Sequence, residues 1–287
     1  MKGLRWLVVA LYLVIATAPL VWMGLSSLKQ RADTISPHAK FVPTAQAPSD
    51  PTSPRFEATL DAYRELSVVH AGAQQSFWRH LGSSALIGLM STLASVALGT
   101  CCAYGFSRFR VPGAKDWLFF VLSTRFLPPL AVVVPVLIMY RELDLQGTHL
   151  GLALLYTVFN LSLAVWLMKG FLDEIPRAYE EAAVVDGYSR FGAFVRVVLP
   201  EARTGIAVTA VFCLISAWNE YGFAMTLNSS GAVTVPAYFA GLQGNIEGMP
   251  WPQVAAGALI FVAPIVVFTI LVRGHLLRGV TFGTVKQ

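Results

Sequence analysis

The sequence predicts an all-α membrane protein with six transmembrane helices and a cytoplasmic hairpin between the fourth and fifth. Three observations carry that prediction. Hydrophobic residues make up 55% of the 287 and charged residues only 13%, against about 25% charge in an ordinary soluble domain. The apolar residues come in runs, each long enough to cross about 30 Å of hydrocarbon at about 1.5 Å per residue. One stretch, residues 181–200 (EAAVVDGYSRFGAFVRVVLP), interrupts these runs with charges and turn residues.

The six runs are residues 6–28, 83–106, 116–140, 149–171, 204–227 and 251–272. The first is longer than the apolar core of a signal peptide. Ser26-Ser27-Leu28-Lys29 is also a poor cleavage site, so the run reads as a retained span. Lys and Arg orient the chain. With the N-terminus inside, the cytoplasmic side gathers Lys2, Arg5, Arg108, Arg110, Lys115, Lys169, Arg177, Arg190, Arg196, Arg203, Arg273, Arg278 and Lys286. The short outer loops are nearly free of positive charge, which places both termini and the hairpin in the cytoplasm. The net charge of +5 is scattered around the spans rather than collected in a patch, which argues against nucleic acid. Cys101, Cys102 and Cys213 lie inside apolar runs, with neither disulfide nor metal spacing.

The whole chain, 1–287, reads as a single transmembrane domain. Its one large water-facing insertion is residues 29–80, on the outer side. Five prolines, from Pro37 to Pro54, make the first half of this loop extended. Residues 56–69 predict a short amphipathic helix. The loop is either a lid over the spans or a docking surface. The last outer loop, 228–250, is rich in small residues and is expected to dip back toward the outer mouth. Residues 276–287 form a cytoplasmic tail.

The hairpin, within a cytoplasmic loop 172–203, builds from its residues. Pro176 suits a first helical position, where its missing N–H costs nothing. Tyr179, Ala182, Ala183 and Asp186 then share one helical face. Gly187 is a left-handed stop and Ser189 a cap for a second helix. Phe191, Phe194, Val195 and Val198 line an apolar stripe on that helix. Pro200 ends it. Ala182 and Ala183 allow a partner to approach closely, and Glu180, Glu181 and Asp186 offer carboxylates to its basic groups. The alternative is an amphipathic linker lying on the bilayer.

Inside the spans, ionisable side chains are costly and usually face the bundle interior or water. Arg125 in the third and Glu220 in the fifth are expected to pair. Asn160, Asn219 and Tyr221 add hydrogen-bonding groups at similar depth, and Trp218 and Phe223 add aromatic faces. Together, Arg125, Asn160, Asn219, Glu220 and Tyr221 are candidates for a polar solute path, or for polar glue between helices. Pro128, Pro129 and Pro135 break the third span and Pro264 kinks the sixth. No phosphate-binding G-x-x-x-x-G-K-[ST] motif occurs, and no catalytic constellation stands out.

The string Glu181-Ala182-Ala183-x-x-Asp186-Gly187, followed by Leu199-Pro200, resembles the EAA signature of permease subunits in bacterial ABC importers. Ser123–Pro129 (STRFLPP), Trp218-Asn219-Glu220 and the terminal GVTFGTVK at 279–286 resemble the maltose-type carbohydrate permeases. Tyr188 departs from the family pattern, which commonly has Ala there. The resemblance implies a bacterial inner-membrane permease that does no covalent chemistry. Glu180, Glu181, Ala182, Ala183, Asp186, Gly187, Leu199 and Pro200 would form its ATPase-coupling element. It implies a second homologous permease subunit, two copies of an ABC ATPase, a periplasmic solute-binding protein, a lipid bilayer and a carbohydrate or carbohydrate-like substrate. This chain would bind no cofactor; ATP and Mg would sit on the ATPase. An ion-gradient-driven secondary transporter and a membrane scaffold are the rival readings.

Overall fold

The structure, a computed structural model, describes residues 2–68, 76–126, 128–228, 230–242 and 249–281. Among the described residues, four helices are long and apolar enough to cross a membrane, or up to six if each of two bent helix pairs is one span. The all-α prediction holds, apart from a two-stranded parallel ribbon of three residues per strand. By contacts the chain forms two units, residues 1–81 with 238–264 and residues 82–237 with 265–287.

The first unit begins with α1 (Lys2–Ser27), none of whose apolar window is buried within the chain. That surface is left for lipid or another chain. The loop after it is more ordered than its prolines suggest. It holds α2 (Arg31–Thr34), β1 (Val42–Thr44), β2 (Arg55–Glu57) and α3 (Asp61–Glu65). The helix expected over 56–69 shrinks to α3, because Phe56 and Glu57 are used in the ribbon. Phe56 and Leu66 are buried. Lys29 lies 4.2 Å from the Trp22 ring centroid and faces Phe56, and Ser27 Oγ meets Tyr63 Oη at 2.9 Å. These contacts fasten the loop to the end of α1. The loop closes earlier than expected, since α4 starts at Phe77 and His80 is helical. His80 stacks on Tyr238 in this unit, 4.6 Å between centroids.

The second unit contains most of α4 (Phe77–Arg108), then α5 (Ala114–Ser123), a 3-10 turn at Thr124–Phe126, and α6 (Pro129–Glu142). The break falls where Pro128 and Pro129 were expected to make it. Next come α7 (His149–Glu174), α8 (Arg177–Val185), α9 (Arg190–Ala193), a π turn at Phe194–Val198, α10 (Leu199–Glu201), α11 (Arg203–Trp218) and α12 (Gly222–Leu227). After α13 (Val235–Gly241), α14 (Trp251–Thr281) continues unbroken through Pro264. Residues 276–281, expected in a tail, are helical, and residues 282–287 lie outside the described residues.

α7 is the spine of this unit. Its buried side touches α4 and α11, and Leu152, Ala153, Leu155 and Tyr156 join a core with Ile87, Tyr140, Phe223 and Leu227. Gly99 of α4 meets α7 so closely that a Cβ there would lie 2.5 Å from Ala164 Cβ and 3.1 Å from its carbonyl carbon. Small residues at such crossings let membrane helices pack without a hydrophobic driving force. Gly99→Leu is therefore expected to lower the melting temperature of the detergent-solubilised chain, by overpacking worth about 1–3 kcal/mol. An unchanged melting temperature would show that the crossing is loose.

Candidate functional site

The hairpin is built almost as its residues dictate. Pro176 stands one position earlier than expected, as the extended residue just before α8. At the other end α8 closes with a Schellman motif. Tyr188 N–H donates to Ala183 O and Gly187 N–H to Val184 O, both at 3.0 Å, and Gly187 takes φ +90°. Only a residue free of Cβ does this without strain. Ser189 then caps α9, its Oγ accepting from Gly192 N–H at 3.1 Å.

Pro200 does not end the second limb. Leu199 N–H donates to Phe194 O, five residues back, so a wide π turn absorbs the ladder position that the missing proline N–H leaves empty. The chain bends at Ala202, with 72° between the segments Arg190–Glu201 and Arg203–Trp218. The expected apolar stripe is divided. Phe194 and Val198 are buried with Met168, Leu172, Ala103 and Ala202, while Phe191 and Val195 are exposed.

The eight residues expected to meet a partner also divide. Glu181, Ala182, Asp186, Gly187 and Pro200 are exposed. Ala183 is buried and Leu199 packs against the Phe194 core. Glu180 corrects the expectation that its carboxylate is free for a partner. It is bound by the Arg108 guanidinium, accepts from Tyr104 Oη at 3.0 Å, and is nearly enclosed. Arg108 also donates to Ile175 O at 3.0 Å, and Arg177 to Ser107 O at 2.7 Å. Tyr104 and Phe194 meet ring to ring at 4.4 Å. The hairpin is thus fastened to the C-terminal end of α4. Neither Tyr104 nor Arg108 was singled out from sequence, because partners more than 70 residues apart leave no local signal. What α8 leaves exposed is a face with Glu181, Ala182 and Asp186, crowned by Val185, which is 87% exposed.

A second site lies where α7, α11 and the α5–α6 break meet. A cavity of about 200 Å³ is lined by Arg125, Asn160 and Glu220, three of the five expected path residues. Tyr156, Phe159, Ser216 and Phe223 complete its walls. The other two candidates do not line it. Asn219 donates to Ile215 O at 2.9 Å, and Tyr221 Oη donates to Met225 Sδ.

The expected Arg125–Glu220 ion pair is absent among the described residues. Glu220 instead caps α12, accepting from Phe223 N–H at 2.9 Å and Ala224 N–H at 3.2 Å. It also takes a 2.5 Å bond from Tyr156 Oη. This side-chain capping also breaks the helix expected over 204–227 into α11 and α12, since Glu220 competes for the backbone donors of the next turn. Among the described residues, Arg125 donates to Phe159 O at 3.3 Å and Ser216 Oγ at 3.5 Å. Asn160 is buried. Its Nδ2 donates to Cys213 O at 3.1 Å, while its Oδ1 finds no partner among the described residues.

With this geometry in view, comparison with known proteins is specific. Residues 95–280 match the family described as binding-protein-dependent transport system inner membrane component. The trehalose transport system permease protein SugB of Mycobacterium tuberculosis is 31% identical over 278 residues, covering 94% of this chain and 93% of that one. The sulfoquinovosyl glycerol transport system permease protein SmoH of Agrobacterium fabrum is 26% identical, covering 99% of this chain and 94% of that one. In fold, the chain is similar to a crystal structure of a bacterial ABC transporter involved in the import of the acidic polysaccharide alginate. There the TM-score is 0.71, the identity 19%, and 95% of each chain is covered.

Proposed function

The chain belongs to the family of inner membrane components of binding-protein-dependent transport systems, and from that membership we propose that it is the permease subunit of an ATP-driven carbohydrate importer, coupled to its ATPase through the α8 hairpin. It is a translocation component, not an enzyme. The hairpin and both termini face the cytoplasm. A second, homologous permease, two ATPase copies and a periplasmic binding protein complete the assembly.

The observation that carries the proposal is the division of the hairpin. One side of α8 is bolted to α4 through Glu180 and Arg108. The other leaves Glu181, Asp186 and the apolar tip of Val185 exposed among the described residues. Exposed apolar surface rimmed by charge marks a protein contact. A rigid link behind it transmits displacement into α4 and α7. ATP-driven closure of the ATPase pair would drag the two hairpins and rock the spans between inward- and outward-facing states. The carbohydrate assignment draws on the relatives, permeases for trehalose and for sulfoquinovosyl glycerol.

The test is uptake in proteoliposomes holding the full complex and its binding protein. Uptake is expected to require ATP and to persist under an ionophore. Uptake that ran on an ion gradient without ATP would overturn the proposal. Glu181→Lys is expected to cut transport about tenfold at normal membrane insertion, the cost of reversing one interfacial charge; full transport in this variant would remove Glu181 from the contact.

A further inference from the structure

Between α4 and α11 the chain leaves an open groove of about 370 Å³, distinct from the cavity beside Arg125. Its wall on α4 runs from Thr92 to Cys101 and its wall on α11 from Ile206 to Ala210. Phe194 of the π turn and Leu199 after it form the floor toward the hairpin. The lining is apolar but for two threonines and the Cys101 thiol. The groove takes up only half of each helix. Thr92 stands near the midpoint of α4 and Ala210 near that of α11. Beyond those points the two helices close on each other: a Cβ at Gly88 would lie 3.4 Å from Leu214 Cδ1 and 3.5 Å from Trp218 Cε3. From Thr92 to Cys101 the helix rises about 14 Å, at about 1.5 Å per residue. That is roughly half of a hydrocarbon core about 30 Å thick, so the groove is one leaflet deep. A neighbouring membrane helix runs through both leaflets, whereas an acyl chain runs through one.

The end toward the hairpin carries a cation. Arg203, Ile206 and Ala210 recur at i, i+3 and i+7, which puts Arg203 on the α11 face that lines the groove. Arg203 is exposed, and among the described residues it forms no ion pair, with Glu201 or with any other carboxylate. The arginines of the hairpin are engaged elsewhere. Arg177 donates to Ser107 O, Arg190 lies over the Phe109 ring and Arg196 over the Tyr188 ring. An apolar slot one leaflet deep, with a basic residue at its water end, has the polarity that an anionic phospholipid requires. We propose that the groove holds one acyl chain of such a lipid from the cytoplasmic leaflet, with its phosphate at Arg203. The choice of leaflet rests on the importer reading. A zwitterionic lipid carries its own cation beside the phosphate and is drawn to Arg203 more weakly. The bound chain packs on Phe194, whose ring meets Tyr104 at 4.4 Å, directly behind the link between the hairpin and α4.

The test is photolabelling of the full complex in phosphatidylcholine nanodiscs. These are doped with phosphatidylglycerol carrying a diazirine on one acyl chain, or with the matching phosphatidylcholine, and labelled peptides are mapped after illumination. Adducts are expected on residues 92–101 and 206–210, several-fold more from phosphatidylglycerol than from phosphatidylcholine. Arg203→Gln is expected to lower phosphatidylglycerol labelling about fivefold, the share of one basic residue at an anionic surface, and to leave phosphatidylcholine labelling unchanged. Ala97→Phe fills the groove from an exposed position and is expected to suppress labelling by both lipids. Arg203 is exposed, so its variant carries the test if Ala97→Phe fails to assemble. Equal labelling by the two lipids, or unchanged labelling in Arg203→Gln, would overturn the site. Absence of adducts in the groove of a complex that still hydrolyses ATP would overturn it too, and would show that a second protein covers this face. ATP-driven uptake by the same complex in proteoliposomes reports separately on the importer reading, which survives any of these results.

Discussion

Gly187→Pro is expected to abolish coupled transport while leaving the spans inserted and the complex assembled. Gly187 sits at φ +90° and donates its N–H to Val184 O at 3.0 Å. Proline locks φ near −65° and has no N–H, so the Schellman closure cannot form. The left-handed conformation alone costs a residue with a Cβ about 1–2 kcal/mol, and proline adds the lost bond and a forbidden φ. α8 would then no longer stop at Val185, and its exposed face would lose its aim. Asn tolerates the left-handed region better than other non-glycine residues, so Gly187→Asn is expected to keep most transport. Measured as ATP hydrolysed per solute imported, the proline variant should show hydrolysis without import. Normal import in Gly187→Pro would remove the turn from the mechanism.

The second large effect is at the link behind the hairpin. Arg108 and Glu180 side chains are 7% and 13% exposed. Removing one partner of a buried pair strands the other charge, at about 3–5 kcal/mol. Arg108→Ala and Glu180→Ala are each expected to loosen α8 from α4 and to uncouple hydrolysis from import. The charge exchange Arg108→Glu with Glu180→Arg should recover part of the loss, though Tyr104 Oη and Ile175 O are placed for the native arrangement. A double-mutant cycle reads the interaction directly. Additive effects of the two alanine variants would mean that the pair does not act as a unit.

Much of this protein was legible in its sequence, for reasons that particular residues make plain. The spans follow from apolar runs, which need no tertiary context. Gly187 and Ser189 were read correctly because turn and cap chemistry is local. Some of the errors arose where a side chain chose a distant partner, others where a local turn redirected it. Glu180 looked free because its partners, Tyr104 and Arg108, are more than 70 residues away. Arg125 and Glu220 looked like a pair because they were lone opposite charges, yet Glu220 found closer donors at Phe223, Ala224 and Tyr156. Phe191 and Phe194 share a helical periodicity, but the turn through Ser189 and the π turn leave Phe191 outside the packed edge. In the cavity, Tyr156 and Asn160 lie one helical turn apart on α7. That i, i+4 spacing was the one signal from which Tyr156 was open to recognition.

The central claim is that the free face of α8 is where an ATPase acts on this chain. Val185, 87% exposed, is the point to probe. With Val185→Cys in a chain whose native cysteines are replaced, membranes holding the full complex are treated with a short bifunctional thiol cross-linker, against cysteines introduced on the ATPase surface. The claim predicts a cross-link to the ATPase whose formation arrests import. A control at Val158, also exposed but within the α7 span, should give none. Active import with no cross-link from position 185, or import that continues after cross-linking, would contradict the account.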